Sequence, residues 1–395
     1  MKVAVIIILL GFSISVSAQN SRLDDIWSNL AVAGDNEKNY QFNSLIKMLS
    51  EYNFSDNQPI PTGWISKQIP NMNYNMYAVI LPYINQPSQL IWLLASTDKE
   101  EKNSVFSKVI DFPASSLSNI SVEFNKIGVS SLTISIDTKK HIEIPDIQLK
   151  ILFSKLTADK SDNEKENLSA EIWKNLKPLL ENADIFNNDF FDYERLSTLI
   201  SADKKVKICS WNIEYASGEN RFYGGLAINR ESALNVYELN DNGRTNPSPE
   251  KNVLSPDKWY GCIYYGIMEN KYKGDTYYTL LGFNGNNPFS QIKLIDVLTF
   301  SEKGNPSPKF GASVFTDERK NHKRIIFEYS KMTAMMLRYD ARMKMIVMDN
   351  LSPSDPFFKN DFRYYGPDFS YNGFEFEKGK WIYHSDIDLR NPAIN

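Results

Sequence analysis

After one charged residue, Lys2, the chain enters a continuous apolar run from Val3 to Phe12, then Ser13-Ile14-Ser15-Val16-Ser17-Ala18 before Gln19. A charged start, a short apolar centre and a small-residue exit predict a cleavable signal peptide over 1–18. The run is shorter than the roughly 20 residues that a permanent helical span needs. Behind Ser21-Arg22-Leu23-Asp24, a capping-box pattern, Ile26, Trp27, Leu30 and Ala31 recur at helical spacing, and Tyr40, Leu45, Ile46 and Leu49 repeat the pattern. Past position 53 the period shortens. Segments 74–82, 89–96, 105–112, 119–126, 129–137 and 141–149 are short, rich in β-branched or aromatic residues, and divided by Pro, Asn, Ser or Gly. An N-terminal α+β half over 19–160 follows from this pattern.

The most polar interruption is 158–167, where a domain boundary is placed. Ser161 and Glu164 have the spacing of a capping box, and Leu168, Ile172, Leu176 and Leu180 make the apolar stripe of the helix they would start. Pro178 predicts a kink near its end. With a second helix expected around 189–201, residues 161–203 become a helical connector.

From Val206 the pattern is that of strands almost to the end of the chain, so 204–395 is predicted to be mainly antiparallel β, a sandwich, a barrel or a propeller-like stack. Phe374-Glu375-Phe376-Glu377-Lys378-Gly379-Lys380-Trp381 makes the best hairpin, with Phe and Trp on one face and Glu in water. Asp241-Asn242-Gly243 and Asn284-Gly285 are further hairpin-turn signals. The fold class is therefore α+β with a β-rich C-terminal half.

Composition adds two constraints. Aromatic residues make up 13% of the chain, with 21 Tyr and 23 Phe, which favours half-buried pleated surfaces. The formal net charge is −4, and loss of Lys2 with the signal makes the exported portion one unit more acidic. A weakly acidic chain without a basic stripe argues against nucleic acid as a partner. No later stretch is apolar enough to predict a transmembrane helix after signal removal.

In the second half, Lys258-Trp259-Tyr260-Gly261, the segment Lys273 to Gly282, Ile295-Asp296-Val297-Leu298-Thr299-Phe300 and Tyr365-Gly366-Pro367-Asp368-Phe369-Ser370-Tyr371 stand out. Over 205–391 the chain resembles exported, uncharacterised proteins of Bacteroidota. The resemblance implies a bacterial envelope setting, periplasm or cell surface, and supplies no site residues.

Candidate chemistry is sparse. His141 and His322 sit beside lysines in polar turns, where solvation is the ordinary fate. No H-E-x-x-H zinc motif, Cys/His cluster, nucleophile elbow or phosphate-cradling glycine loop occurs, so no metal and no cofactor is expected. His384, Asp386 and Asp388 alternate on one strand face, but ligands two apart on a strand point in parallel and need others to close a site. Met332, Met335, Met336, Met343, Met345 and Met348 lie among Leu337, Tyr339, Ile346 and Val347 and fit a core hairpin turning at Asp340-Ala341-Arg342 better than a copper site. Cys209 and Cys262, both in aromatic strands of an exported domain, are a candidate disulfide, with buried free thiols as the alternative.

Two function classes remain. A glycan-active hydrolase needs an Asp/Glu pair, and Glu214, Glu269, Asp296, Glu328 and Asp349 lie in or beside apolar strands. A non-catalytic envelope protein, binding another envelope protein or a glycan, needs only exposed aromatics in the β half. The second is the expectation, and its mark is an aromatic patch.

Overall fold

The computed structural model describes residues 65–68, 74–81, 88–96, 105–112, 120–127, 129–136, 140–144, 147–186, 193, 195–230, 233–301, 307–316 and 322–389. The helices expected near 26–31 and 40–53, and the signal peptide, lie outside them. The chain divides into two compact units between Lys155 and Leu156.

In the first unit, β1 (Ile65–Gln68), β2 (Tyr74–Leu81), β3 (Ser88–Ser96) and β4 (Val105–Phe112) form an antiparallel meander in sequence order. A second, three-stranded sheet holds β5 (Ile120–Ile127), β6 (Val129–Ile136) and β7 (Lys140–Ile144). The strand expected over 141–149 stops at Ile144; after Pro145-Asp146 the chain forms helix α1 (Ile147–Lys155). A proline cannot continue a ladder, and the apolar run Ile147, Leu149, Ile151, Leu152 that follows serves a helix as well as a strand.

The second unit begins with α2 (Asp162–Leu180). Its capping box is formed: Glu164 N–H donates to Ser161 Oγ at 3.4 Å, and Ser161 N–H donates to the Glu164 carboxylate at 2.8 Å. The buried side is Lys165, Ser169, Ile172, Leu176, Leu179 and Leu180, so Lys165 and Ser169 take core positions while Leu168 is only half-buried. Pro178 falls in the last turn. A short helix, α3 (Ala183–Phe186), follows.

The helix expected around 189–201 is not what forms at its end. Ser197–Ile200 is a strand, β8, which pairs antiparallel with β9 (Val206–Glu214). The β-branched Thr198 and Ile200 suit a strand, and the following turn is fixed from within. Ser201 Oγ accepts from Val206 N–H at 2.9 Å, Asp203 accepts from Lys205 N–H at 3.1 Å, and Lys204 adopts φ 59°.

Three sheets make up the β half. In the first, β8 and β9 are followed by β10 (Asn220–Arg230) and β11 (Ala233–Asn240). The second contains β12 (Ile263–Tyr272), β13 (Asp275–Asn284) and β14 (Ser290–Thr299), with β14 also pairing with β15 (Lys309–Phe310) and β17 (Ile325–Ser330). The third has the order β16 (Phe315–Thr316), β21 (Lys380–His384), β20 (Tyr365–Glu377), β19 (Met345–Pro353) and β18 (Leu337–Asp340). Every pairing is antiparallel except β16 with β21. Each sheet is open, and they stack as a sandwich of three layers.

The stacking is written in the burial pattern. Tyr278 and Leu280 of β13, with Ile292, Leu294 and Leu298 of β14, pack with Val206, Ile208, Phe222 and Leu226 of the first sheet. The alternate residues Leu281, Ile295 and Val297 pack with Ile346, Met348, Phe374 and Trp381 of the third. The middle sheet is thus covered on both faces, which is why Tyr278–Gly282 and Leu294–Leu298 are buried without interruption. On the outer face of the first sheet, Trp211 Nε1 donates to Ser169 Oγ of α2 at 3.3 Å.

Turn chemistry follows the sequence in part. Lys273-Gly274 and Lys378-Gly379 have positive φ at both residues (50° and 92°, 48° and 79°), the type I′ geometry that closes the tight hairpins β12–β13 and β20–β21. Phe376 faces Trp381 across the second, with ring centroids 5.2 Å apart, and Glu377 is exposed. Asp241-Asn242-Gly243, by contrast, closes no hairpin: Asp241 bridges to Trp259 and Gly243 starts a 3-10 turn, packed where a Cβ would meet the Lys258 carbonyl. Among the described residues no helix is long and apolar enough to cross a membrane.

Candidate binding surface

The loop joining β19 to β20 is built to display aromatic rings. Asp355 caps a 3-10 turn over Pro356–Phe358 by accepting from Phe357 N–H at 2.8 Å. Asp361 caps a second over Phe362–Tyr364 and also pairs with Arg363, Nη2 to Oδ2 at 2.7 Å. The Arg363 hydrogen bond and charge hold the Asp361 carboxyl below the usual carboxylate range. Ser354 N–H donates to the Tyr364 carbonyl at 2.9 Å, and Asn360 N–H to the Tyr365 hydroxyl at 3.1 Å, so the loop is tied across its neck and its tip.

On this frame the Phe358 and Tyr364 rings stack at 3.9 Å, Phe357 stands edge-on to Phe358 at 5.4 Å, and Phe357 itself is 86% exposed. A second display lies in β20. The β19–β20 register passes from Asp349↔Tyr371 to Leu351↔Pro367, leaving Asp368, Phe369 and Ser370 opposite Asn350 alone. Asp368 accepts from Asn350 Nδ2 at 2.7 Å and from Ser370 Oγ at 2.7 Å. Its partial burial raises its pKa, but these hydrogen bonds outweigh that and hold the carboxyl below its ordinary value. Phe369, between them, is turned out at φ 70° and is 90% exposed. Bulged strands re-aim side chains in this way.

Adjacent turns extend the surface. Lys331 N–H donates to the Phe289 carbonyl at 3.0 Å, and Thr333 Oγ1, which donates to the Ser330 carbonyl at 3.1 Å, lies 3.5 Å from the Tyr365 carbonyl, which places Phe289 and Met332 beside the loop. Of the nine large hydrophobic side chains exposed among the described residues, six belong here: Phe289, Met332, Phe357, Phe362, Tyr364 and Phe369. Exposed apolar residues scattered singly carry no meaning, whereas a concentration of them does.

The acids singled out by the sequence are each engaged by different partners. Asp296 is fully buried against Arg324 at 3.2 Å. Glu269 pairs with Lys271 at 2.6 Å and accepts from Asp203 N–H at 3.0 Å. Glu328 accepts from Ser290 Oγ at 2.5 Å and Asn286 Nδ2 at 3.1 Å. Asp349 accepts from Met336 N–H at 2.6 Å, and exposed Glu214 lies 3.9 Å from Lys331. Four of the five therefore brace loops or strands.

The remaining nominated residues are placed as follows. Cys209 and Cys262 are buried free thiols, so the candidate disulfide is not formed. Cys209 Sγ lies 3.6 Å from Thr198 Oγ1, while a Cβ on Gly282 would fall 2.7 Å from Cys262 Sγ. His384 lies 3.5 Å from Glu375, and no metal-binding group of three His, Cys, Asp or Glu gathers among the described residues. Met335, Met345 and Met348 are core residues, whereas Met332 is 92% exposed. The sequence reading missed the display loop, although Pro353-Ser354-Asp355-Pro356 and Asn360-Asp361 around its phenylalanines are turn formers.

No protein-family model matches the chain, and no curated protein matches it. Among solved structures, one similar chain is the Cellvibrio cellulosa alpha-L-arabinanase, at 11% identity, covering 62% of this chain and 76% of that one with a TM-score of 0.17.

Proposed function

We propose that the protein is an exported, non-catalytic envelope protein that binds another envelope protein or a glycan through the aromatic surface at Phe289, Met332 and 354–371. The observation that carries this reading is the rigid display of Phe357 and Phe369. Solvent-facing aromatics held in place before contact make strong anchors, because little side-chain freedom is lost on binding. The β half bears the resemblance to exported Bacteroidota proteins, and the apolar start of the chain supports export.

Affinity capture of the mature chain from its native envelope, with bound proteins and glycans identified, tests the proposal. The expected result is a partner retained by the wild type and lost by the Phe357→Ala, Phe369→Ala double variant. Turnover of a glycan that Glu328→Gln or Glu214→Gln abolishes would replace this reading with the hydrolase. Equal capture by wild type and double variant would remove the aromatic surface from the function.

A further inference from the structure

The second unit also contains a cleft of about 460 Å³, formed by 156–165 at the start of α2, by Arg195 and by 212–216 at the end of β9. It involves no residue of the aromatic surface. Its size suits a ligand of one or two sugar rings.

Its charges are unusual. Lys165 is only 7% exposed, and its ammonium donates to the Glu214 carbonyl at 2.8 Å. That is one acceptor for three protons, and no carboxylate among the described residues lies within ion-pair distance of it. A buried ammonium without a counter-ion is costly. Lys160 and Arg195 line the same cleft, also without an ion pair among the described residues. The helix terminus itself offers nothing further, since Ser161 and Glu164 close it and Asp162 Oδ1 accepts from Ala216 N–H at 2.9 Å.

Three cations therefore share one cavity with the Asp162 carboxylate, and the Glu166 carboxylate lies beside it on the Tyr215 hydroxyl, whereas Glu214 gives the cleft its carbonyl and its carboxylate lies 3.9 Å from Lys331. A multiply charged anion would meet repulsion from Asp162 and Glu166. A ligand with one carboxylate and several hydroxyls matches the mixture: the carboxylate takes up the unmet donors of the cations, and Asp162 and Asn212 accept from hydroxyls. Tyr215, its hydroxyl 2.5 Å from Glu166, supplies a fixed ring for the ligand's apolar face.

We infer that this cleft binds a sugar acid, a hydroxylated ring carrying one carboxylate. Isothermal titration of the mature chain with glucuronate, glucose and acetate tests it. Glucuronate saturates the site, while glucose and acetate bind at least about tenfold more weakly. Lys165→Met lowers glucuronate affinity at least about tenfold and Arg195→Gln about threefold or more. Because Lys165 is buried, the fold of Lys165→Met is checked by circular dichroism; if it fails, exposed Arg195→Gln decides. The Phe357→Ala, Phe369→Ala variant binds glucuronate as the wild type does, which separates this site from the aromatic surface. No saturation by glucuronate up to about 10 mM, equal binding of glucose or acetate, or affinity unmoved by the charge-removing variants would overturn the inference.

Discussion

Arg324 Nε lies 3.2 Å from Asp296 Oδ2, and both side chains have no solvent exposure at all. Around this pair a polar network runs through the core: Trp259 Nε1 donates to the Tyr264 hydroxyl at 3.0 Å, and that hydroxyl donates to Asp296 at 3.3 Å. The guanidinium also donates to the carbonyls of Pro249, Asn252 and Phe310, fastening the 249–258 segment and β15 to the sheets. Removing one partner strands a charge in the interior, so Asp296→Asn or Arg324→Met is expected to cost about 3–5 kcal/mol in urea unfolding. Asp296→Leu with Arg324→Met recovers part of that loss, because no lone charge then stays buried. A single variant as stable as wild type would show that the pair does not hold this region.

The two thiols stay unpaired and unreactive in the folded protein. Burial pushes Cys209 up to about 11 from an ordinary value of 9.0, against a weaker opposing pull from the Thr198 hydrogen bond. Burial also raises Cys262, and the negative charge of Asp296 adds to it. At pH 8 iodoacetamide is expected to label neither thiol in the native state and both in urea, and mass spectrometry finds no bridge. The sign of the linkage is fixed by the raised values. The neutral thiols support the fold fully below about pH 9, and that support is lost as pH rises from 9.0 towards 11. Stability that increased across this interval in the wild type, relative to a Cys209→Ala variant, would contradict the assignment.

What was legible in the sequence was local. The capping box at Ser161, the hairpin at Lys378-Gly379 and most strands of both halves follow from spacing and turn chemistry. What was not legible is set by contacts distant in sequence. Asp296, one of five candidate acids in or beside apolar strands, owes its role to Arg324, 28 residues later. Lys165 belongs to the polar interruption 158–167 yet is buried, its ammonium donating to the carbonyl of Glu214, 49 residues on. Exposed aromatics were expected in the β half but not located, because Phe357 and Phe369 are outside only through Asp caps and a bulge that set the local backbone.

Helix α2 reaches the first sheet through a glycine. A Cβ at Gly225 of β10 would lie 2.7 Å from Leu180 Cδ1 and 2.7 Å from Trp173 Cζ3, closer than carbon atoms approach without something moving. Gly225→Ala is expected to destabilise by about 1–3 kcal/mol, and Gly225→Val by more, through overpacking. Trp173→Ala combined with Gly225→Ala should recover part of the loss, since the crowded ring is then absent. Additive losses in that double variant, measured by denaturant titration, would mean that the helix does not rest on this strand.

Phe369 sets stability against function in one residue. A non-glycine residue at φ 70° is strained, and its ring, 90% exposed, has almost nothing to gain from packing in the isolated protein. Replacing it with glycine removes the strain, while glycine's greater freedom in the unfolded chain offsets part of the gain. Phe369→Gly is therefore expected to be neutral or up to about 1 kcal/mol more stable than wild type. Phe369→Ala keeps the strained backbone and is expected to change stability by less than about 0.5 kcal/mol, as exposed positions do. Both variants should lose partner capture, because the projecting ring is gone. A ring retained at the cost of strain is what a binding anchor predicts. If both captured as well as wild type, or if either lost more than about 2 kcal/mol in denaturant titration, Phe369 would belong to the fold and not to the binding surface.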